Sequence, residues 1–154
     1  MKGDQRIIDT LNDLLTNELT SINQYFIHSK MCENWGYNAL AAKMRAESIE
    51  EMRHADQVIS RILYLDGVPN LQRLGKVNVG ETVTEQLQLD WKLEDQAIKN
   101  LNVGTDLCRD LQDYGSFELL TKILADEETH ADWIETQLAL IKSLGEATYL
   151  AQQL

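Results

Sequence analysis

The sequence predicts an all-α fold: four long helices in one bundle, with one long crossover connection and a short fifth helix near the C-terminus. Three observations carry this. Of 154 residues only one is Pro and 6% are aromatic, while Leu, Ala, Glu, Lys and Gln, all good helix formers, are plentiful. Four stretches repeat their apolar residues at steps of three and four, the spacing that builds one helix face. Between the second and third stretch lies a segment with no helical period, long enough to return the chain along the bundle before the third helix starts. The length fits a single domain over 1–154 with one sizeable core.

The first helix runs through Ile8, Leu11, Leu15, Ile22 and Tyr25 and ends near Trp35-Gly36. The second carries Met44, Ala55, Val58, Ile62 and Leu65, and stops at Asp66-Gly67-Val68-Pro69, a Gly followed by Pro as expected after a helix C-terminus. From Asn70 to Gly80 the chain reads as connection, and a connection of that length lets the second and third helices run parallel. The third helix starts at about Thr82 and continues through Leu87, Trp91, Ile98 and Leu101. Tyr114-Gly115-Ser116 separates it from a fourth with the seam Leu120, Ile123, Ile134, Leu138 and Ile141, which Gly145 ends. The tail Glu146 to Leu154 reads as a short fifth helix. So short a helix needs packing to persist, and Tyr149, Leu150 and Leu154 are expected to dock it against a neighbouring subunit.

Six residues break the apolar seams, and they repeat. Glu18 is followed 33 positions later by Glu51 and then by His54; Glu94 is followed 33 positions later by Glu127 and then by His130. The second set is the first shifted by 76 residues, and Leu11/Leu87, Ile22/Ile98, Ala55/Ala131, Val58/Ile134 and Ile62/Leu138 align under the same shift. Each Glu-x-x-His pair shares one helix face. Glutamate is common on solvated helix surfaces, but these six sit where the pattern demands apolar residues. Buried carboxylates cost several kcal/mol each, on the order of the penalty for any unpaired ion, unless a cation compensates them. No Lys or Arg lies on these seams. Two dications balance four glutamates and two neutral imidazoles. Two lone Glu and two Glu-x-x-His pairs on four helices form the template of ferritin-like di-iron and di-manganese carboxylate bundles. Oxygen-rich ligation with one imidazole per metal suits iron or manganese, though zinc or cobalt can also bind. On this reading Glu51 and Glu127 bridge the metals, Glu18 and Glu94 are terminal ligands, and His54 and His130 each hold one metal. Tyr25, two turns from Glu18, either hydrogen-bonds a ligand carboxylate, supplies an electron or packs in the core. His28, off the seam, is expected at the surface.

From end to end the chain resembles bacterioferritin. The residues that carry the resemblance are Met1-Lys2-Gly3-Asp4, Asn23-Gln24-Tyr25-Phe26, Trp35-Gly36, Glu51-Met52-Arg53-His54-Ala55-Asp56, Pro69-Asn70-Leu71-Gln72, Leu74-Gly75-Lys76 and Glu127-Glu128-x-His130. The resemblance implies a cytoplasmic shell of twenty-four identical or closely related subunits. Such a shell oxidises Fe(II) with O2 or peroxide at a ferroxidase centre of two irons in each subunit, formed by the same six residues, and stores ferric mineral inside. It further implies haem b, one per subunit pair, held through Met52 of each subunit in an apolar pocket matching Leu19, Ile22, Asn23, Phe26 and Leu71, with a ferredoxin-type reductant for iron release. Asn34, Asp66, Asp132 and Thr136 resemble the polar lining of the family's iron-admitting pores. Two positions depart from the pattern. Ala46 stands where many members have a histidine that joins residues 47 and 50 in an inner-surface iron site, and Arg45 stands where many have tyrosine.

Composition narrows the alternatives. A formal net charge of −11 argues against nucleic-acid binding and suits a protein that attracts cations. The start of the chain lacks the apolar core of a signal peptide, and no apolar run reaches membrane-spanning length. Cys32 and Cys108 form no motif together and read as free thiols of a reducing cytoplasm. Beside iron storage stand a di-iron or di-manganese peroxidase or other oxidoreductase of the same fold, and a purely structural bundle. The last leaves the buried glutamates unexplained.

Overall fold

The computed structural model describes residues 1–154 and contains five helices: α1 Gln5–Asn34, α2 Asn38–Tyr64, α3 Val83–Asp110, α4 Tyr114–Leu144 and α5 Glu146–Ala151. Tight turns make α1/α2 and α3/α4 antiparallel pairs. Residues 25 and 28 of α1 meet residues 94 and 90 of α3, whereas Thr10 and Leu14 lie by Gly104, so α1 and α3 are also antiparallel. It follows that α2 and α3 run parallel. They lie on one diagonal of the bundle, since α1 packs on α2 and α3 while α4 packs on α3 and α2.

Each helix start has a physical cause. Asp4 caps α1 by accepting the N–H of Arg6 at 2.9 Å. Thr82 caps α3 by accepting the N–H of Glu85, whose own carboxylate reaches back to the N–H of Glu81 at 2.8 Å. Asp113 caps α4 through Ser116, and Arg61 of α2 donates to both, at 2.7 Å to Asp113 and 2.9 Å to Ser116. This corrects the expectation that Tyr114-Gly115-Ser116 separates two helices: those residues open α4. Gly115 is there for close approach rather than for a break, because a Cβ at that position would sit 2.5 Å from the Arg61 guanidinium. The turn residue is Gln112, with φ 59°. At the start of α2, Tyr37 offers no side-chain cap, and the N–H of Ala39 donates instead to the carbonyl of Gln153 at 2.9 Å.

The crossover is strapped along α1. Asn12, Thr16, Thr20, Gln24 and His28, every fourth residue of α1, each meet it in turn. Asn12 accepts the N–H of Asn70, Thr16 accepts from Arg73, Thr20 accepts the N–H of Gly75, Gln24 accepts the N–H of Asn78 and His28 Nε2 accepts the N–H of Gly80, at 2.8–3.1 Å. The expectation that His28 lies at the surface is therefore wrong. It is fully buried, and its Nδ1 donates to Asp90 at 2.9 Å, where Gln24 also donates. The crossover covers a second stripe of α1 that the core seam does not reveal.

The tail departs from expectation too. Tyr149 is buried within its own chain, donating to Gln137 at 2.7 Å, so only the half-buried Leu150 and the exposed Leu154 are left for a neighbour. The core itself comes in two parts. One is built around Ile7, Leu11, Leu15, Val58, Ile62, Leu101, Leu120 and Ile123, the other around Tyr25, Cys32, Leu40, Met44, Leu87, Ile134 and Tyr149.

Replacing His28 by Ala orphans the Gly80 N–H and one acceptor site of buried Asp90. We expect a loss of stability of roughly 1–3 kcal/mol per orphaned group, measured by urea unfolding. An unchanged midpoint would show that the strap does not depend on His28.

Candidate metal centre

Between the two apolar parts lies one layer of ionisable groups. Each of the four long helices contributes where its seam passes from one part to the other: Glu18 from α1, Glu51 and His54 from α2, Glu94 from α3, Glu127 and His130 from α4. All six residues are buried, none more than 7% exposed. Ligand atoms of Glu18, Glu51, His54 and Glu127 lie within 4.8 Å of one another, as do those of Glu51, Glu94, Glu127 and His130. Glu51 and Glu127 belong to both sets; Glu18 and Glu94 belong to one each. The six residues singled out in the sequence thus converge.

The imidazoles point Nδ1 into the layer. His54 Nδ1 lies 3.3 Å from Glu127, 3.6 Å from Glu18 and 3.7 Å from Glu51. His130 Nδ1 lies 3.1 Å from Glu51, 3.4 Å from Glu127 and 3.7 Å from Glu94. The rings are nearly parallel, with centroids 6.4 Å apart. Tyr25 meets the layer directly, its hydroxyl donating to Glu94 Oε1 at 2.6 Å.

No Lys or Arg reaches these four carboxylates; the imidazoles are their only partners of opposite charge. Burial, and then the neighbouring carboxylates, push Glu51 and Glu94 up to about 8 and Glu127 to about 7; burial likewise raises Glu18. Burial opposes charging of the imidazoles, but the attraction of the carboxylates around them outweighs it. They hold His54 well above the ordinary histidine range and His130 at about 12. Burial first, then Glu94, raises Tyr25 and keeps its phenol protonated. The chain by itself therefore neutralises the layer with protons. Even so, eight buried atoms lack a hydrogen-bond partner: Glu18 Oε2, both oxygens of Glu51 and of Glu127, Glu94 Oε2, and Nδ1 of both histidines. Six oxygens and two nitrogens converging without donors match an oxygen-rich site for two cations.

Sequence reasoning missed several neighbours of this layer. Glu47 is buried, with Oε2 against His130 Nε2 and Oε1 paired with Lys43 at 2.8 Å. Burial resists its ionisation, but the His130 and Lys43 contacts outweigh this and keep its pKa low. Asp126 lies 2.8 Å from His54 Nε2, and Glu50 lies 3.7 Å from the same atom. The 76-residue shift pairs Glu50 with Asp126, a signal legible in the sequence. A depression of about 280 Å³ lined by Lys43, Ala46, Glu47, Glu50, Asp126, Thr129 and His130 opens beside the layer. Glu47 is thus turned toward His130 rather than left free for the inner-surface iron site, and Ala46 offers no ligand.

Met52 lies outside the layer, 55% exposed, on the same turn as Glu51. Phe26 and Leu71 are likewise exposed, and the Arg45 guanidinium lies 6.0 Å from the Phe26 ring. Asn34, Asp66, Asp132 and Thr136 are all at the surface. No helix is long and apolar enough to cross a membrane.

Comparison with known proteins identifies the family to which this fold belongs. Residues 8–144 match the model of the ferritin-like domain. The chain is 53% identical over 152 residues to the bacterioferritin of Mycobacterium leprae, covering 99% of this chain and 96% of that one. It is 52% identical over 152 residues to bacterioferritin BfrA of Mycobacterium tuberculosis, with the same coverage. To the bacterioferritin of Streptomyces coelicolor it is 50% identical over 151 residues, 98% of this chain and 90% of that one. With ferritin-like architecture and this identity along nearly its whole length, the chain belongs to the bacterioferritin family.

Proposed function

We propose that this chain is an iron-storage ferroxidase, taking up Fe(II) as substrate, oxidising it within each subunit and holding the ferric product inside a shell of twenty-four subunits. The observation that carries this reading is the pair of overlapping four-residue groups sharing Glu51 and Glu127, buried and without Lys or Arg. Two adjacent Fe(II) ions supply one electron each to O2 or peroxide. The residues set the conditions. Glu51 and Glu127 face both imidazoles and serve as bridging ligands. Glu18 and Glu94 are terminal, and His54 and His130 each offer Nδ1. Tyr25 donates to Glu94 Oε1 and so leaves Oε2, which has no partner, to face the metal. Four carboxylates also favour the more highly charged ferric product.

Haem b fits the face that carries Met52. Met52, Phe26 and Leu71 are each exposed, apolar side chains in want of cover. In the family's arrangement Met52 from each of two subunits would hold one haem. Paired thioethers favour Fe(II) haem, which suits passing electrons from a ferredoxin-type protein inward to release iron. Arg45, whose guanidinium lies 6.0 Å from the centre of the Phe26 ring, puts a charge beside this apolar face.

Native mass and iron loading in air test the reading. A large closed shell holding many more irons than two per chain is the expected result; a small oligomer with two metals per chain would instead select an oxidoreductase of the same fold. In Glu127→Ala, which removes a ligand shared by both positions, rapid Fe(II) oxidation should largely vanish while helical content stays. Wild-type oxidation by a folded Glu127→Ala variant would refute the assignment.

Metal must replace the protons that His54 and His130 hold. Their pKa values are raised, so both already hold these protons at neutral pH; metal binding must release them, and affinity therefore falls as pH falls. Calorimetry of Co(II) binding in buffers of different ionisation enthalpy should show about two or more protons released per filled centre. Binding without proton release would contradict the imidazole assignment.

Met52→Leu, expressed with ample haem, should lose most of its haem while keeping shell and ferroxidase activity. Unchanged haem content and spectrum would show that Met52 is not the ligand.

A further inference from the structure

The six residues of the centre obey the 76-residue pseudo-symmetry, but the groups behind its two histidines do not. His54 Nε2 contacts Asp126 at 2.8 Å, and His130 Nε2 contacts Glu47. Under the shift, Asp126 is the mate of Glu50 and Glu47 is the mate of Ile123. An isoleucine cannot accept a hydrogen bond, so His54 has no counterpart of the Glu47 contact and is met instead by Asp126, one turn further along α4. Each support comes from across the bundle: α4 supplies Asp126 to a histidine of α2, and α2 supplies Glu47 to a histidine of α4.

The two supports also differ in setting. The Asp126 side chain is 47% exposed and has no other hydrogen bond to a side chain; Glu50 stands behind it at 3.7 Å from Nε2. The Glu47 side chain is 7% exposed and is itself held by Lys43, whose ammonium lies 5.0 Å from the centre of the Trp133 ring.

An ionised carboxylate can only accept, so each of these contacts fixes a proton on Nε2. Once metal displaces the other proton, Nδ1 is left as the lone pair, aimed at Glu18, Glu51 and Glu127 for His54, and at Glu51, Glu94 and Glu127 for His130. A carboxylate behind a ligating imidazole fixes ring and tautomer and strengthens the imidazole as a donor. We propose that Asp126 and Glu47 are positioning residues, one for each metal position: Asp126 aligns His54 for the position beside Glu18, and Glu47 aligns His130 for the position beside Glu94. This rests on the two-metal reading above. It goes further in making the two positions separately adjustable, and in taking Glu47 out of the set of free surface ligands.

The test is Co(II) binding to the assembled protein without oxygen, by equilibrium dialysis, together with crystals at sub-saturating cobalt and anomalous scattering to locate it. Asp126→Ala should weaken the position beside Glu18 by about 10- to 100-fold and leave cobalt beside Glu94. Glu47→Ala should do the reverse. Asp126→Asn and Glu47→Gln, whose carbonyl oxygens still accept the N–H, should recover most of the loss. Wild-type binding by both alanine variants would overturn the proposal. So would equal weakening of both positions in either variant, the result of a merely structural role. Wild-type protein that fails to bind two Co(II) per chain would instead bring down the two-metal reading itself. Asp126 is half exposed, so its variant keeps the fold; should Glu47→Ala fail to fold, the Asp126 pair decides.

Discussion

A sheet of charge through the middle of an apolar core is the constraint around which this bundle is organised. Leucines and isoleucines fill the interior above and below it, and four glutamates and two histidines interrupt all four helices at one level. Any of these carboxylates left ionised and alone would cost several kcal/mol, on the order of a domain's net stability when summed. The chain can keep them because the imidazoles and shared protons neutralise them, and on the function proposed above two cations would take the place of those protons. Stability and function compete for the same atoms here. The apolar parts on either side must supply what the layer does not.

Geometry at the layer depends on helices held in register, and the register comes from polar contacts away from it. Arg61 locks the end of α2 to the start of α4 through Asp113 and Ser116, fixing the pair that carries both histidines. On the other side, the ladder of every fourth residue on α1 binds the crossover. Its last two rungs, Gln24 and His28, flank Tyr25, the residue that reaches Glu94, and both also bond Asp90 one turn before Glu94. The strap that covers the outside and the hydrogen bond that orients a carboxylate inside therefore share one turn of α1 and one turn of α3.

Much of this was legible in the sequence because both the seams and their interruptions follow helical period. The six residues of the layer announce themselves as polar where the period requires apolar, and the 33- and 76-residue spacings confirm that the interruptions correspond. What escaped had a different origin. His28 looked exposed because burial was read from one stripe, and the crossover buries another. Its signal was present in Asn12, Thr16, Thr20, Gln24 and His28, an unbroken i, i+4 polar row, but polar rows on helices normally face water. Gly115 looked like a break because glycine usually punctuates; only the packed Arg61 shows that it is there for space. The sequence points Tyr149 to a neighbour because a tail as short as Glu146 to Leu154 cannot persist alone, yet one buried aromatic and one hydrogen bond seat it within its own chain.

The contact between Ala39 and Gln153 gives that last segment a second office. A helix start leaves N–H groups that a serine, threonine or aspartate ordinarily satisfies, and α2 has a tyrosine there that contributes nothing of the kind. The carbonyl that follows α5 fills the vacancy from 114 positions downstream, as the numbering of 39 and 153 shows. The first turn of the helix that bears Glu51 and His54 is thus completed by a segment beyond α5, far from it in sequence. A change that unseats α5 would therefore be felt at the start of α2, on the helix that carries Glu51 and His54.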